Sequence, residues 1–301
     1  MPAGSRPNAP RSVLVASVAG DQTTHAMLDA VLPQLGPSDA LVVADRVGGA
    51  YSASLRARGD KITVLDRPGA SVPELRAAAL AASRGRVVVV LEDHVIPGPG
   101  WLDALTAPFS DPEVVLTWGP VADASDEAVG RIAFLCDYAP FLPDGSPDVS
   151  PPGMNTAYHR GALQAAVDRE PELLETFWEG PLHRRLGERG RAVRVDSAVV
   201  RHHKPFQPGE ALAQRFHQGR HLAARRARGV PIDGRVAWIV ASATLPPALL
   251  RRTVRAARRG GVRGTELLRL VPGLLALHTA GALGEAVGSA FGDGGSLGRI
   301  L

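Results

Sequence analysis

Along the first two hundred residues, short β-branched and aliphatic runs alternate with stretches whose apolar positions recur every three or four residues. The runs are SVLVAS (12–17), ALVVAD (40–45), KITVLD (61–66), RVVVVLED (86–93) and EVVLTW (113–118). Between them THAMLDAVLPQL, SASLRARG and PELRAAALAASRG carry helical spacing. Such alternation predicts βαβ units and a mostly parallel central sheet flanked by helices, an α/β fold. The near-continuous Val and Leu of 87–91 predict a central strand covered on both faces. Ligands of these sheets bind at the carboxyl ends of the strands, where Asp45, Asp66 and the group Glu92, Asp93, His94 fall.

From about 119 to 153 the pattern gives way to Pro, Gly, Asp and Ser, notably PFLPDGSPDVSPPG, which predicts a long loop region. Helical spacing returns in RGALQAAV and EGPLHRRLGERG, and AVRVDSAVV reads as one further strand opening onto RHHKP. After residue 208, EALAQRFHQGRHLAARRARG predicts a basic amphipathic helix. Two uncharged runs of 15 residues follow, 236–250 and 270–284, separated by RRTVRAARRGGVRG. Each contains proline and falls short of the roughly 20 residues needed to cross a bilayer.

Composition narrows the picture. The chain has 301 residues and a mass of 31.6 kDa, room for one large domain or two small ones. A hydrophobic fraction of 45% with 21% charged residues excludes global disorder. The single cysteine, Cys136, excludes an internal disulfide and a Cys-rich zinc site. Residues 1–11 lack the apolar stretch of a secretory signal and predict a short disordered lead. Charge is divided unevenly: residues 1–200 hold 18 Lys and Arg against 25 Asp and Glu, whereas residues 201–301 hold 16 against 5. The last third is therefore the cationic part.

On an extended strand Glu92 and His94 point to one side and Asp93 to the other. An E-x-H pair can thus present a carboxylate and an imidazole together to a divalent cation, which would screen a diphosphate. The stretch RPGASVPELRAAALAASRGRVVVVLEDHVIPGPGWLDAL resembles the core of the family 2 glycosyltransferases of GT-A fold. In that family an apolar strand ends in a D-x-D motif and is followed by a p-x-p-x-w-l segment, here Val95, Pro97, Trp101 and Leu102. In this register Glu92 and His94 take the places of the two aspartates.

The resemblance continues along the chain. Asp45 stands where the family contacts the nucleoside, Arg76 where it approaches the diphosphate, and Asp93 inside the donor-binding motif. GMNTAYHRGAL (153–163) is similar to the segment beside sugar and acceptor and brings in Gly153, Asn155 and Arg160. WEGPLHRRLGERG (178–190) is similar to the E-D-x-x-L-x-x-R-L-x-x-x-G helix, with Leu182, Arg185, Leu186 and Gly190 holding the spacing. Glu179 then takes the position of the catalytic base, and Trp178 replaces the acid before it. His202 matches a histidine that the family places near the metal.

The resemblance implies an inverting, hexosyltransferase-like enzyme using Mg²⁺ or Mn²⁺ and a nucleotide-diphosphate sugar, with a UDP-sugar as first expectation and the acceptor unidentified. The expected organisation is a GT-A domain over 12–205 and a helical, basic, membrane-facing extension over 206–301. The arginines from Arg251 to Arg263 beside short apolar runs predict a segment lying on a membrane. Gly284, Glu285 and Gly288 are similar to the tail of a membrane-associated subgroup with an E-D-H core motif. The corresponding location is the inner face of the plasma membrane, peripherally bound and cytoplasmic. Two alternatives stay open. One is a GT-A domain that binds nucleotide sugar or a partner without turnover. The other is a nucleic-acid site on the cationic tail, disfavoured because few aromatic residues there could stack on bases.

Overall fold

The computed structural model describes residues 10–20 and 22–300. The expected lead therefore lies outside the described residues except for Pro10 and Arg11, and Arg11 already opens the first strand. In chain order the elements begin with β1 (Arg11–Ser17), α1 (Gln22–Val31), β2 (Ala40–Asp45), α2 (Gly49–Arg56), β3 (Ile62–Asp66), α3 (Val72–Ala82) and β4 (Val87–Glu92). There follow β5 (Val95–Pro97), α4 (Trp101–Thr106), β6 (Val114–Trp118), β7 (Val121–Asp123), α5 (Ala128–Tyr138), β8 (Thr156–His159), α6 (Arg160–Val167) and α7 (Gly180–Gly187). The chain closes with β9 (Arg191–Arg194), β10 (Val200–His202), α8 (Pro208–Arg226), α9 (Ile232–Ser242), α10 (Leu245–Arg259) and α11 (Gly264–Phe291). Two units emerge, one of residues up to 119 together with 150–200, the other of 120–149 together with 201–301.

The first unit is built on a seven-stranded sheet of order β3-β2-β1-β4-β8-β6-β9. β1 to β4 run parallel, as the alternating pattern predicts, and every residue of β1 and Val87–Leu91 of β4 is buried. Val-rich strands suit this position because both of their faces are covered. Only β8 runs against its neighbours, pairing antiparallel with β4 and β6. The amino ends of β1 and β2 are fixed together by a buried ion pair. Arg11 Nη2 lies 2.6 Å from Asp39 Oδ2, and the Arg11 backbone N–H donates to Asp39 Oδ1 at 2.9 Å. Burial works against the Asp39 carboxylate, but the hydrogen bonds from Arg11 and Gly36 outweigh it and hold its pKa below the ordinary value.

The second unit differs from the expectation in two ways. The long loop predicted over 119–153 contains β7 and the three-turn helix α5, and residues 120–149 of it group with the C-terminal helices. The run 270–284 is only the middle of α11, a helix of 28 residues. Within the unit β7 lies beside β10, with the Ala124 N–H donating to the His202 carbonyl at 3.0 Å. Ala133 of α5, Ala211 of α8 and Leu277 of α11 meet in a small buried cluster flanked by Ile132 and Phe206. His278 is buried beside it, 3.1 Å from Thr253 Oγ1 and 3.6 Å from Cys136 Sγ. Burial, helped by the charges of Arg215 and Arg252, lowers its pKa to about 4.

α8 and α11 approach backbone to backbone. A Cβ on Gly219 would come within 2.1 Å of the Gly281 carbonyl, one on Gly284 within 2.0 Å of the Phe216 carbonyl, and one on Gly288 within 2.1 Å of the Arg220 carbonyl. Glu285, between the last two, pairs with Arg226 at 2.8 Å. The G-E-x-x-G pattern is thus accounted for by helix packing. Gly284→Ala tests this directly, because alanine favours an isolated helix by about 1 kcal/mol over glycine. The overpacked contact should nonetheless destabilise the protein by about 1–3 kcal/mol, measured by denaturant unfolding. A neutral or stabilising result would show that the helices can separate without cost.

Candidate functional site

The parallel strands end together. Ser17 pairs with Asp45, Asp45 with Asp66, and Ala16 with Glu92, so three carboxylates line the carboxyl edge of the sheet. Asp45 is fully buried and accepts from the Gly48 N–H at 2.8 Å, the Val47 N–H at 3.2 Å and Ser52 Oγ at 2.6 Å. It pins the turn into α2, where Gly48 and Gly49 adopt φ values of 76° and 59° that favour glycine.

Beyond the end of β4 the side chains separate as strand alternation predicts. Asp93, buried, turns toward the segment after β1, and its Oδ2 accepts from the Val18 N–H at 2.7 Å. Its Oδ1 lies 2.8 Å from His94 Nδ1. A carboxylate at Nδ1 fixes the proton on that nitrogen and leaves Nε2 as the coordinating atom, the arrangement that orients metal-binding imidazoles. His94 Nε2 is 3.3 Å from Glu92 Oε2. One carboxylate oxygen and one imidazole nitrogen, side by side with an anchoring carboxylate behind them, form a donor pair for a divalent cation, the carboxylate being the part that suits Mg²⁺ or Mn²⁺.

Arg76 links this pair to the turn before α7. Its helix, α3, starts with a capping box in which Ser71 and Glu74 satisfy each other across the first turn. Arg76 sits on the buried face of that helix and is only 2% exposed. One amino group, Nη2, is 3.3 Å from Glu92 Oε1, and the other, Nη1, donates to the Phe177 carbonyl at 2.5 Å. The next residue, Trp178, is fully buried with φ of 57°, a left-handed conformation that costs a bulky residue of order 1–3 kcal/mol. Packing holds it there. The indole lies edge-on to Tyr158 with ring centroids 6.1 Å apart, and the Tyr158 hydroxyl reaches His183 Nε2 at 3.0 Å. His183 Nδ1 in turn faces the Pro151 carbonyl at 3.0 Å, so Nδ1 donates and Nε2 accepts.

The strained turn delivers Glu179, exposed, to the start of α7, where it is the N-cap residue. The carboxylate lies against Gly153. A Cβ there would meet Glu179 Oε1 and the Phe177 carbonyl, both at 2.6 Å. Glu92, His94, Arg76, Phe177, Glu179 and Gly153 are thereby connected through contacts within one unit.

Two other residues expected at the site, Asn155 and Arg160, are engaged internally. Asn155, buried at φ of 51°, accepts from Trp101 Nε1 at 2.7 Å and donates Nδ2–H to the Ala198 carbonyl at 2.9 Å. Its side-chain amide ties α4 to the segment before β10. Arg160 follows the antiparallel β8, whose His159 pairs with Val87 at the start of β4. The length of β4, about 16 Å, therefore separates it from Glu92. It donates to Ser83 Oγ at 2.6 Å and to the Gly85 carbonyl, and it borders a cavity of about 240 Å³ with Ala77, Gln164 and Leu174, remote from the carboxyl edge. His202, in the second unit, is buried with its ring 4.7 Å from that of Tyr138 and 5.6 Å from that of Phe134. Sequence reasoning missed the supports of the Glu179 turn, Tyr158 and His183, because they act through contacts between distant segments that no local motif encodes.

The buried histidines make stability depend on pH. Burial lowers the His183 pKa to about 4, opposed by its bond to Pro151, and His278 shares that direction and value. Below 6.5 the unfolded chain takes up protons that these folded-state imidazoles refuse. Their stabilisation is complete above 6.5 and is lost as pH falls toward about 4. His183→Gln should flatten the decline of unfolding free energy over that window by up to about 1.4 kcal/mol per pH unit. An unchanged slope in urea melts would mean that His183 is protonated in the folded protein.

No family model and no curated protein sequence matches this chain. Solved structures do. The mannosyltransferase PcManGT from Pyrobaculum calidifontis, in complex with GDP-Man and Mn²⁺, aligns over 93% of this chain and 87% of its own, at 16% identity and a TM-score of 0.52. GalNAc-T7 with UDP, GalNAc and Mn²⁺ aligns over 66% of this chain at 12% identity and a TM-score of 0.51. The alignment covers 44% of GalNAc-T7, less than half of its length. At these identities the likeness is one of fold, and the α/β architecture described above is the GT-A fold of those glycosyltransferases.

Proposed function

We propose that this protein is a family 2 type glycosyltransferase that moves a sugar, with inversion, from a nucleotide-diphosphate sugar to an acceptor hydroxyl. The observation that carries this reading is the connection made by Arg76. It joins a carboxylate–imidazole pair at the carboxyl edge of a GT-A sheet to the turn that presents a second carboxylate, Glu179. Donor screening and proton removal, the two demands of the reaction, thereby fall to adjacent parts of one unit. The two similar structures were determined with a nucleotide or nucleotide sugar and Mn²⁺, which supports the same class of donor and cation here.

In this reading Glu92 and His94 hold Mg²⁺ or Mn²⁺, and the ion supplies positive charge to the diphosphate. Asp93 keeps the His94 tautomer correct for that role. Asp45, held rigidly at the neighbouring strand end, borders the nucleoside position. Arg76 fixes the Glu92 carboxylate and the Glu179 turn at once. Glu179 takes the proton of the attacking hydroxyl, and Gly153 leaves the space in which its carboxylate lies. On the resemblance alone His202 is included as a further ligand, and His202→Ala tests it by its effect on cation dependence.

A thermal-shift screen against UDP, GDP, CDP and dTDP, with and without Mn²⁺, tests the donor site. One nucleotide at 100 times its dissociation constant should add about 2.7 kcal/mol of stability in a Mn²⁺-dependent way, and Glu92→Ala should abolish the cation dependence. A folded protein that responds to none of the four would remove the donor-site reading. Glu179→Gln should keep the nucleotide response while sugar transfer, followed as release of nucleoside diphosphate from the matching donor, falls by about 100-fold or more. Nucleotide binding with no turnover in the parent protein would instead favour a GT-A domain that binds without catalysis.

A further inference from the structure

The C-terminal helices present an outward surface that a water-soluble face does not need. Leu268, Pro272, Leu275, Thr279 and Leu283 recur at helical spacing along α11, all exposed, on the side opposite the glycine face packed on α8. Leu268 is 72% exposed and Leu283 58%, and the row extends about 22 Å. The one hydroxyl in it is masked, since Thr279 Oγ1 donates back to the Leu275 carbonyl at 2.8 Å. α9, which also packs on α11, exposes Val236 and Val240, 51% and 67% accessible and one turn apart. Such a row, with its polar groups already satisfied, seeks a low-dielectric partner.

The charges on the neighbouring helix identify the partner. α10, which packs on α11, exposes Arg251, Arg252, Arg255, Arg258 and Arg259, and none of them pairs with a carboxylate among the described residues. Between residues 234 and 284 the sequence holds eight arginines and one acid, Glu266, which is itself bound by Arg131. A second copy of this chain, meeting it about a two-fold axis, would set arginine against arginine. An anionic bilayer offers both required environments within one interface, phosphates for the guanidinium groups and acyl chains for the leucines.

We infer that α11 and α10 form a membrane-docking surface on which the protein lies in the headgroup layer of an anionic bilayer, α11 parallel to the membrane plane. By length and composition α11 is the one helix among the described residues that could cross a membrane, 28 residues with a mean hydropathy of 1.4 over its most apolar window. Crossing, however, would strip it from α8 and undo the backbone contacts at Gly281, Gly284 and Gly288. Lying flat keeps those contacts and uses only the free face. This surface stands whether or not the sheet edge transfers sugar.

Flotation of the full-length protein with phosphatidylcholine vesicles, with and without about 30% phosphatidylglycerol, tests the surface. Binding is expected only to the anionic vesicles and should weaken as salt is raised from about 0.1 to 0.5 M. Replacing Arg255, Arg258 and Arg259 by Gln should lower affinity by about 100-fold, and replacing Leu268, Leu275 and Leu283 by Ser by about tenfold or more. Circular dichroism melts verify that both exposed-face variants remain folded. Three results would overturn the inference. They are no binding to anionic vesicles, binding unchanged by the leucine variant, and protein that resists an alkaline carbonate wash as a spanning helix does. A dimer in light scattering that the leucine variant dissolves, without vesicle binding by the parent, would assign the face to a second copy instead.

Discussion

A guanidinium almost excluded from water holds the sheet edge together. Arg76 must find hydrogen-bond acceptors inside the protein, because a buried and unpaired charge is severely penalised. It finds them in Glu92, at the end of the central strand, and in the backbone of Phe177, just before a turn in a conformation that a tryptophan rarely adopts. The capping box of α3 fixes where that arginine starts, and the Tyr158–His183–Pro151 chain fixes where the turn ends. Neither carboxylate can move far without breaking a contact of the other's support. The cost of the left-handed tryptophan is borne by its packing, and what is gained is a carboxylate held against Gly153.

Much of the first unit was legible because its physics is local. ALVVAD became β2 over the residues predicted, and three of the four parallel strands placed their acidic termini together because a parallel sheet gathers all its carboxyl ends on one edge. The opposed directions of Asp93 and the Glu92/His94 pair followed from strand alternation. The closeness of Glu179 to Gly153 was not legible in spacing, since they stand 26 positions apart and only the folded turn brings them together. AVRVDSAVV, read as one strand, is two, with β9 joining the large sheet and β10 leading into the second unit.

The second unit hid itself for different reasons. α5 carries Val129, Ile132, Phe134, Leu135 and Cys136 around most of its circumference, so no amphipathic period stands out between the proline-rich flanks. α11 is interrupted in sequence by Arg269, Pro272 and Glu285, which divide a continuous helix into runs that look too short. Its continuity comes from α8, whose close approach depends on glycines that helix propensity alone would count against a helix.

Because β8 runs against β4, its beginning lies at the edge where the parallel strands finish and its end lies at the opposite edge. A contiguous stretch of sequence is thereby sorted by strand polarity. Gly153, before the strand, is delivered to the side of Glu179, while Arg160, only seven positions later, is committed to holding Ser83 and Gly85. Variation in the residues preceding β8 can therefore reshape the carboxyl edge around Glu179, whereas variation following it alters how the far end of the domain is fastened.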